Sequence, residues 1–185
     1  EKGWFNRNTG YNPFTREGKK TCSYEICEQL GWEAPDRVIV PTGDGNIISG
    51  IWKGMRDLHA VGLIDRLPKI DCAQSEKSDA IARTIGKLEI ENWGWDSGNW
   101  REVKIDPVQA TTIADSISVD VPRDGLAAVR AVVESGGAAV TVPDEAILAA
   151  IPEVARLAGV FAEPAAACAW AGLKALAKAG RVKAD

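Results

Sequence analysis

The sequence predicts an α/β fold: a three-layer, doubly wound and mostly parallel sheet with helices on both faces. Short apolar runs of β-forming residues alternate along the chain with amphipathic stretches that are long enough for helices. A strand, helix and strand in succession form the crossover that joins parallel neighbours in a sheet. The length of 185 residues, 45% of them hydrophobic, is sufficient for one buried core. We therefore expect residues 1–185 to form a single α/β domain.

Helices and strands alternate in the first half of the chain. The predicted elements are a helix at residues 17–30, a strand at 37–40, a helix at 47–60, a strand at 69–73 and a helix at 78–88. Gly31 follows the first helix, at the position where glycine commonly ends one. In the second helix the 3.6-residue period turns Trp52 and Met55 inward and leaves Lys53 and Arg56 outside. The two strands and the helix between them make one parallel crossover.

The second half repeats this alternation. The predicted elements are a short apolar stretch at residues 117–119, a helix at 122–135, a strand at 138–142, a helix at 143–157, a very short strand at 160–162 and a helix at 164–179. The helical period buries Leu126 and Val129, and Gly136 and Gly137 end that helix. A second crossover is thereby expected.

Residues 90–110 interrupt the alternation with a tryptophan-rich segment. Trp93, Trp95 and Trp100 follow neither a helical nor an alternating period. The pattern favours a surface loop excursion that its tryptophans pin to the protein. The alternative is a surface for a partner or for stacked bases, but the net charge of −4 disfavours nucleic acid.

Composition excludes several classes of protein. The net charge of −4 and an isoelectric point near 5.2 argue against a nucleic-acid partner, since nucleic-acid binders concentrate Lys and Arg on one face. No apolar run is long enough to cross a membrane, and the first residues do not resemble a signal peptide. We therefore expect a cytoplasmic protein with neither a nucleic-acid nor a membrane partner.

Metal and hydrolase chemistry are also disfavoured. The four cysteines, Cys22, Cys27, Cys72 and Cys168, contain no C-x-x-C pair, and His59 is the only histidine. Free buried thiols account for the cysteines better than zinc or disulfides do. A single histidine also leaves no Ser-His-Asp set away from residue 59. We expect no metal site.

The loop at residues 42–46 is the strongest candidate for a binding site. It follows an apolar strand, contains Gly43 and Gly45, and precedes a helix. The first N–H groups of a helix lack internal partners and bear the positive end of its dipole, so an anion is stabilised there. Neither a P-loop nor a G-x-G-x-x-G motif is present, which disfavours ATP and NAD. The alternative is an ordinary β-to-α turn without a ligand.

Five blocks of sequence carry a resemblance to a known family. They are GWFNRNTGYNPFTREGKKTCSYEI, RVIVPTGDGNIISGIWKGMRDL, GLIDRLPKI, ATTIADSISVDVP and FAEPAAACAWAGL. In this order the blocks resemble the threonine synthases of the fold type II superfamily of pyridoxal-phosphate enzymes. The resemblance covers nearly the whole chain and is weakest in the tryptophan-rich segment. It implies the large domain of that fold, with pyridoxal 5'-phosphate as the cofactor of the full-length protein. We do not expect the 185 residues alone to bind this cofactor stably.

The resemblance also implies two sets of site residues. The glycine-rich loop that binds the cofactor phosphate would be Gly43, Asp44, Gly45, Asn46 and Ile47. The substrate's own phosphate would meet Asn8, Thr9, Asn12 and Arg16, with Arg16 as its charge partner. Relatives often have a further glycine where Asn46 stands, which leaves the backbone angles of the loop open. In the alternative interpretation of the second set, Asn12 simply forms a turn and Arg16 is a surface charge.

By the same resemblance, the full-length protein would be a lyase. It would convert O-phospho-L-homoserine and water to L-threonine and phosphate, and we expect it to be a homodimer. The lysine that attaches the cofactor lies in a Ser-Phe-Lys-Asp type motif in the family, and this sequence contains no such motif. We therefore expect a partial domain that lacks this lysine and a C-terminal strand, has no catalytic residue of its own and has no turnover alone.

Two alternatives remain open. One is another fold type II enzyme, such as a cysteate synthase or a threonine dehydratase, because the same loop and sheet serve several eliminations. The other is a non-catalytic α/β module that binds anions.

Overall fold

The computed structural model describes residues 3–90 and 99–183, except for the side chains of residues 89 and 90. The helices are α1 (Pro13–Lys19), α2 (Thr21–Gln29), α3 (Asn46–Ala60), α4 (Ala80–Ile90), α5 (Gly125–Ser135), α6 (Asp144–Ala158) and α7 (Pro164–Lys178). The strands are β1 (Arg37–Pro41), β2 (Lys69–Ser75) and β3 (Ala139–Val142), and a 3-10 helix spans Asp115–Ile117.

Within the described residues the sheet has three parallel strands in the order β1, β2, β3. Val40 is paired with Cys72, and Cys72 with Ala139, so β2 is bonded on both sides. The chain passes from β1 to β2 through α3, and from β2 to β3 through α4 and α5. These crossovers bring the carboxyl ends of the strands to one edge of the sheet.

The sheet divides the apolar core into two parts. Cys72 packs with side chains of α2 to α5, whereas its neighbour Ala73 packs with α6 and α7. Successive side chains of a strand point to opposite faces, so adjacent residues enter different cores. Complete burial of Ile48 and Met55 stabilises the α3 side by roughly 1.5–3 kcal/mol for each side chain. The predicted α/β fold with helices on both faces is confirmed.

The helix predicted at residues 17–30 is two helices. Asn12 caps α1 by accepting a hydrogen bond from the N–H of Phe14 at 3.0 Å, and Pro13 occupies the first turn. This cap starts the helix four positions earlier than the apolar pattern suggests. The chain then turns at Lys20 into α2, whose Ser23 donates to the Ile51 carbonyl oxygen at 2.8 Å. This polar contact holds α2 against α3, and an apolar period does not predict it.

Two predicted apolar stretches are not strands. The stretch at residues 117–119 leaves the 3-10 helix and is held by Ser78, whose Oγ donates to the Ile117 carbonyl oxygen at 2.9 Å and accepts from the Val119 N–H at 3.0 Å. Residues 160–162 form an irregular connection between α6 and α7. Both stretches are too short to show a period, and neither pairs with a described strand.

Two side-chain predictions have mixed outcomes. Leu126 is 36% exposed, so its predicted burial is wrong, whereas Val129 is fully buried. The cysteines are free as expected, but only three of them are buried, because Cys22 is exposed. Of the tryptophan-rich segment, Trp100 packs on the core beneath the Arg130 guanidinium, 5.5 Å from the ring centre. Trp93 and Trp95 lie outside the described residues.

Candidate functional site

The loop between β1 and α3 lies at the carboxyl edge of the sheet. Its first residue, Thr42, donates its N–H to the Ala73 carbonyl oxygen at 2.9 Å, and its own carbonyl oxygen accepts from Gln74 Nε2 at 2.9 Å. Both partners belong to β2, the central strand. The loop therefore leaves the sheet in a fixed direction before α3 begins at Asn46.

The loop and the start of α3 contain a row of unpaired backbone donors. The N–H groups of residues 43–48 donate to no described residue, and the first paired group belongs to Ser49, which donates to the Gly45 carbonyl oxygen at 3.2 Å. Residues 43–48 line a cavity of about 210 Å³, whose walls also include Thr9, Ser116 and Ile117. Unpaired N–H groups at the start of a 15-residue helix attract an anion through both hydrogen bonds and the helix dipole.

The two loop glycines are required by packing against other segments. A Cβ on Gly43 would lie 2.7 Å from the Ile117 Cα, and one on Gly45 would lie 2.8 Å from the Asp124 carbonyl oxygen. Gly45 also has φ 90°, in the left-handed region that residues with a Cβ rarely adopt. Asn46 is the first residue of α3 and has no positive φ, so no further glycine is needed at that position.

A polar cluster fixes the side chain of Asn46. Its Nδ2 donates to Asp124 Oδ2 at 2.5 Å, and Arg16 donates to the other oxygen of the same carboxylate. Asp124 is 5% exposed, so the ion pair with Arg16 compensates a charge that is almost out of water. Asn46 Oδ1 is also buried and accepts no hydrogen bond from the described residues. A buried acceptor without a partner indicates a place for a donor group or an ordered water.

The carboxylate of Asp44 connects the loop to two other segments of the chain. It accepts hydrogen bonds from the Thr9 hydroxyl and, at 2.6 Å, from the N–H of Arg123. The Asp44 carbonyl oxygen also accepts from the N–H of Asp124 at 2.9 Å. These contacts join the N-terminal segment, the loop and the start of α5. The group of Asp44 that could bind an anion is therefore its backbone N–H and not its carboxylate.

The four residues expected at the substrate lie in different surroundings. Thr9 lines the loop cavity, whereas Asn12 and Arg16 line a second cavity of about 290 Å³ beside it. Asn8 lies in the extended N-terminal segment, where its carbonyl oxygen accepts from the N–H of Tyr11 at 3.2 Å. Asn12 caps α1, and Arg16 is neutralised by Asp124, so both have structural partners.

Sequence reasoning missed five residues that line the loop cavity. Pro41 and Ile48 lie next to the predicted loop residues in sequence, whereas Lys19, Ser116 and Ile117 lie far from them. Lys19 follows Arg16 by three positions, so the two share a helix face. That spacing is the one signal in the sequence for the position of Lys19. The position of residues 116 and 117 depends on contacts made by Ser78 and Asp144, and these have no local signature.

Asp144, at the start of α6, positions the segment that carries Ser116 and Ile117. Its carboxylate accepts from Thr112 Oγ1 at 2.6 Å, Ser75 Oγ at 3.0 Å and Lys77 Nζ at 3.0 Å. Burial raises the pKa of Asp144, but the hydrogen bonds from Thr112, Lys77 and Ser75 outweigh burial and hold it below its ordinary value. A lowered pKa means that folding favours the ionised carboxylate.

We expect Asp144→Asn to lower the free energy of unfolding by about 1–2 kcal/mol at pH 7. The contribution of the carboxylate is present above the unfolded pKa of about 3.9 and is lost as the pH falls through the lowered folded pKa. Urea unfolding at pH 7 and at pH 3 checks this, since the gap from wild type should narrow in acid. Glu145→Gln, at the exposed neighbouring residue, is the control. An equal gap at both pH values would contradict the assignment.

The strand, loop and helix geometry can now be compared with known proteins. The whole chain, residues 1–185, matches the family described as "Pyridoxal-phosphate dependent enzyme". The chain belongs to the pyridoxal-phosphate dependent enzyme family. Among curated members, it is 40% identical over 175 residues to the threonine synthase of Methanocaldococcus jannaschii and 38% identical over 175 residues to that of Methanosarcina acetivorans. Each alignment covers 94% of this chain and 40% of the relative.

A solved structure shares the fold. The processed form of threonine deaminase isoform 2 from Solanum lycopersicum superposes with a TM-score of 0.69, covering 94% of this chain and 44% of that chain. At 20% identity the likeness concerns the fold alone. The chain therefore spans less than half the length of each of these three proteins.

No described helix of this family member has the length and apolar character needed to cross a membrane. No group of three or more His, Cys, Asp or Glu side chains within the described ranges is arranged to hold a metal ion.

Proposed function

We propose that the loop cavity binds the phosphate of pyridoxal 5'-phosphate. The observation that carries this proposal is the row of N–H groups that donate to no described residue, all within residues 43–48, which line one cavity. Family membership supplies the identity of the anion. The buried and unpartnered Asn46 Oδ1 supports a ligand or ordered water at the same place. These features fit a phosphate monoester.

When bound, the cofactor supplies an electron sink for bonds next to the substrate nitrogen. The residues of this chain would do the binding. Backbone N–H groups of Gly43, Asp44, Gly45, Asn46 and Ile47 would hold the phosphate whatever its protonation state, since they carry no charge that could titrate. Their orientation is set before binding by the bonds of Thr42 and Asp44, so little order has to be gained on binding.

We also propose that the full-length protein is a threonine synthase, which converts O-phospho-L-homoserine and water to L-threonine and phosphate. The 40% and 38% identities to two threonine synthases support this reaction over that of other fold type II enzymes. The second cavity, with Asn12 and Arg16, would then receive the substrate's phosphate. Thr9 and Asn8 would contribute from the N-terminal segment. Arg16 would share its guanidinium between this phosphate and Asp124.

We further propose that the lysine that attaches the cofactor is not among residues 1–185. None of the lysines stands in the Ser-Phe-Lys-Asp type motif that the family resemblance implies. Lys53, which lines the second cavity, is held in an ion pair with Glu17, and so is Lys20. The 185 residues alone would then bind phosphate without turning over substrate.

Phosphate release tests the reaction. We expect the full-length protein with cofactor to release phosphate and form threonine from O-phospho-L-homoserine, and to release none from O-phospho-L-serine. The 185-residue chain should release no phosphate above a cofactor-free blank. Absence of threonine with the full-length protein would refute the synthase assignment. Turnover by the 185 residues would refute the proposal about the lysine.

Cofactor titration tests the phosphate site separately. We expect pyridoxal 5'-phosphate to bind at least about tenfold more tightly than pyridoxal, because a charge-assisted set of hydrogen bonds contributes more than about 1.4 kcal/mol. Isothermal calorimetry with both compounds measures the difference. Equal affinities would show that the loop does not hold the phosphate.

A further inference from the structure

Three cations on α1, α3 and the turn after α1 already have partners. Arg16 is paired with Asp124, Lys20 lies 2.6 Å from Asp57 and 2.8 Å from Glu17, and Lys53 is paired with the other oxygen of Glu17. Lys19 differs from these side chains. It lines the loop cavity, yet it forms no ion pair and no hydrogen bond with any described side chain.

Helix packing brings the stem of Lys19 to the start of α3. A Cβ placed on Gly50 would lie 2.5 Å from the Lys19 Cβ and 3.1 Å from the Arg16 carbonyl oxygen, so α1 lies directly on the backbone of α3. Gly50 is four residues beyond Asn46, which is about 6 Å along a helix axis. The flexible four-carbon stem of a lysine can cover that distance. The backbone contact therefore fixes where the side chain starts and leaves its ammonium free to reach the cavity.

The charges around the cavity do not balance those of a bound phosphate monoester without an additional cation. One carboxylate lines it, that of Asp44, which accepts from Thr9 and Arg123. A helix N-terminus supplies the equivalent of only about half a positive charge, whereas a phosphate monoester carries nearly two negative charges at neutral pH. An unpaired ammonium would compensate the remainder.

The unpartnered oxygen of Asn46 agrees with this arrangement. Asn46 is 4% exposed and lines the same cavity, and its Oδ1 accepts no hydrogen bond from the described residues. An ammonium group has three donors and no acceptor. One donor can serve Asn46 Oδ1 while the others serve a phosphate, so both groups at the cavity would be satisfied by one side chain.

We propose that Lys19 is the side-chain counter-charge of a phosphate monoester bound at the N-terminus of α3. The inference rests on the proposed function, which locates a phosphate at the loop. Two esters share the required chemistry, the cofactor pyridoxal 5'-phosphate and the substrate O-phospho-L-homoserine. Lys19 holds phosphate and is not a proton donor or acceptor in the reaction.

The test is a set of binding titrations on the full chain. Isothermal calorimetry compares pyridoxal 5'-phosphate with pyridoxal, and O-phospho-L-homoserine with homoserine, for wild type, Lys19→Met and Lys19→Arg. We expect Lys19→Met to weaken one phosphorylated ligand by about fivefold and to leave its unphosphorylated counterpart unchanged. Lys19→Arg should retain most of the affinity because it keeps the charge. The affected pair identifies which ester Lys19 contacts.

A charge-matched control is available at the opposite edge of the sheet. Lys69 is exposed at the first position of β2, and Lys69→Met removes the same charge far from the loop, so affinity should not change. Lys19→Met should also unfold at the wild-type temperature, since the side chain is exposed. Wild-type affinity of Lys19→Met for both esters would overturn this inference alone. Failure of the wild type to prefer pyridoxal 5'-phosphate to pyridoxal would overturn the proposed phosphate site and the inference with it.

Discussion

Gly45→Ala is expected to abolish phosphate binding and to lower the free energy of unfolding by about 3 kcal/mol. At φ 90°, a residue with a Cβ loses roughly 1–2 kcal/mol. The new Cβ would also lie 2.8 Å from the Asp124 carbonyl oxygen and 2.9 Å from the Ala128 Cβ. Relief of these contacts requires the loop to move away from α5. That movement redirects the unpaired N–H groups of the loop.

Gly136→Ala is the matched control for this prediction. Gly136 also has positive φ, 65°, but a Cβ there would meet nothing within 4 Å. We expect a loss of about 1 kcal/mol and unchanged affinity for pyridoxal 5'-phosphate. Urea unfolding and cofactor titration on both variants separate backbone strain from the clash. If Gly45→Ala bound the cofactor as Gly136→Ala does, the loop would not be the phosphate site.

Gly137→Ala is expected to lower the free energy of unfolding by about 4 kcal/mol or more, enough to leave little folded protein. A Cβ at Gly137 would lie 1.9 Å from the Ile70 carbonyl oxygen and 2.7 Å from its carbon. Ile70 belongs to the central strand. Its N–H donates to Ser135 Oγ at 2.9 Å, and this bond restrains the backbone of Ile70. The clash is therefore with a backbone that cannot move without disturbing the sheet.

The neighbouring Gly136→Ala again serves for comparison, because it makes the same substitution in the same turn without the overlap. Circular dichroism and the soluble yield of the two variants give the first measure, and the urea midpoint of any folded material gives the second. Equal midpoints for Gly136→Ala and Gly137→Ala would show that β2 yields at Ile70, contrary to the packing described above.

The elements nearest the site could be predicted because their signals are local. The strand now observed as β1 and the helix α3 have clear apolar patterns, and glycines stand between them. Trp52 and Met55 are buried and Lys53 and Arg56 are exposed, as the helical period predicts. Propensity and period act over a few residues, so the sequence alone contains that information.

Other features could not be predicted because they depend on distant contacts. Leu126 has the correct period for burial, but no neighbouring element covers it sufficiently. The roles of Asn8, Thr9, Asn12 and Arg16 as substrate ligands remain predictions. The observed partner of Arg16 is Asp124, 108 positions away along the chain, and no local pattern marks such a pair.

The sequence by itself determined the α/β alternation, the position of the glycine-bearing loop between β1 and α3 and the family, because each follows from residue order over short windows or over aligned blocks. Only the tertiary structure decided why Gly43 and Gly45 are needed and which cations around the cavity are neutralised. Those answers depend on how closely α1, α5 and the 3-10 helix approach the loop. Such approaches are fixed by packing among residues remote in sequence, which leaves no periodic trace along the chain.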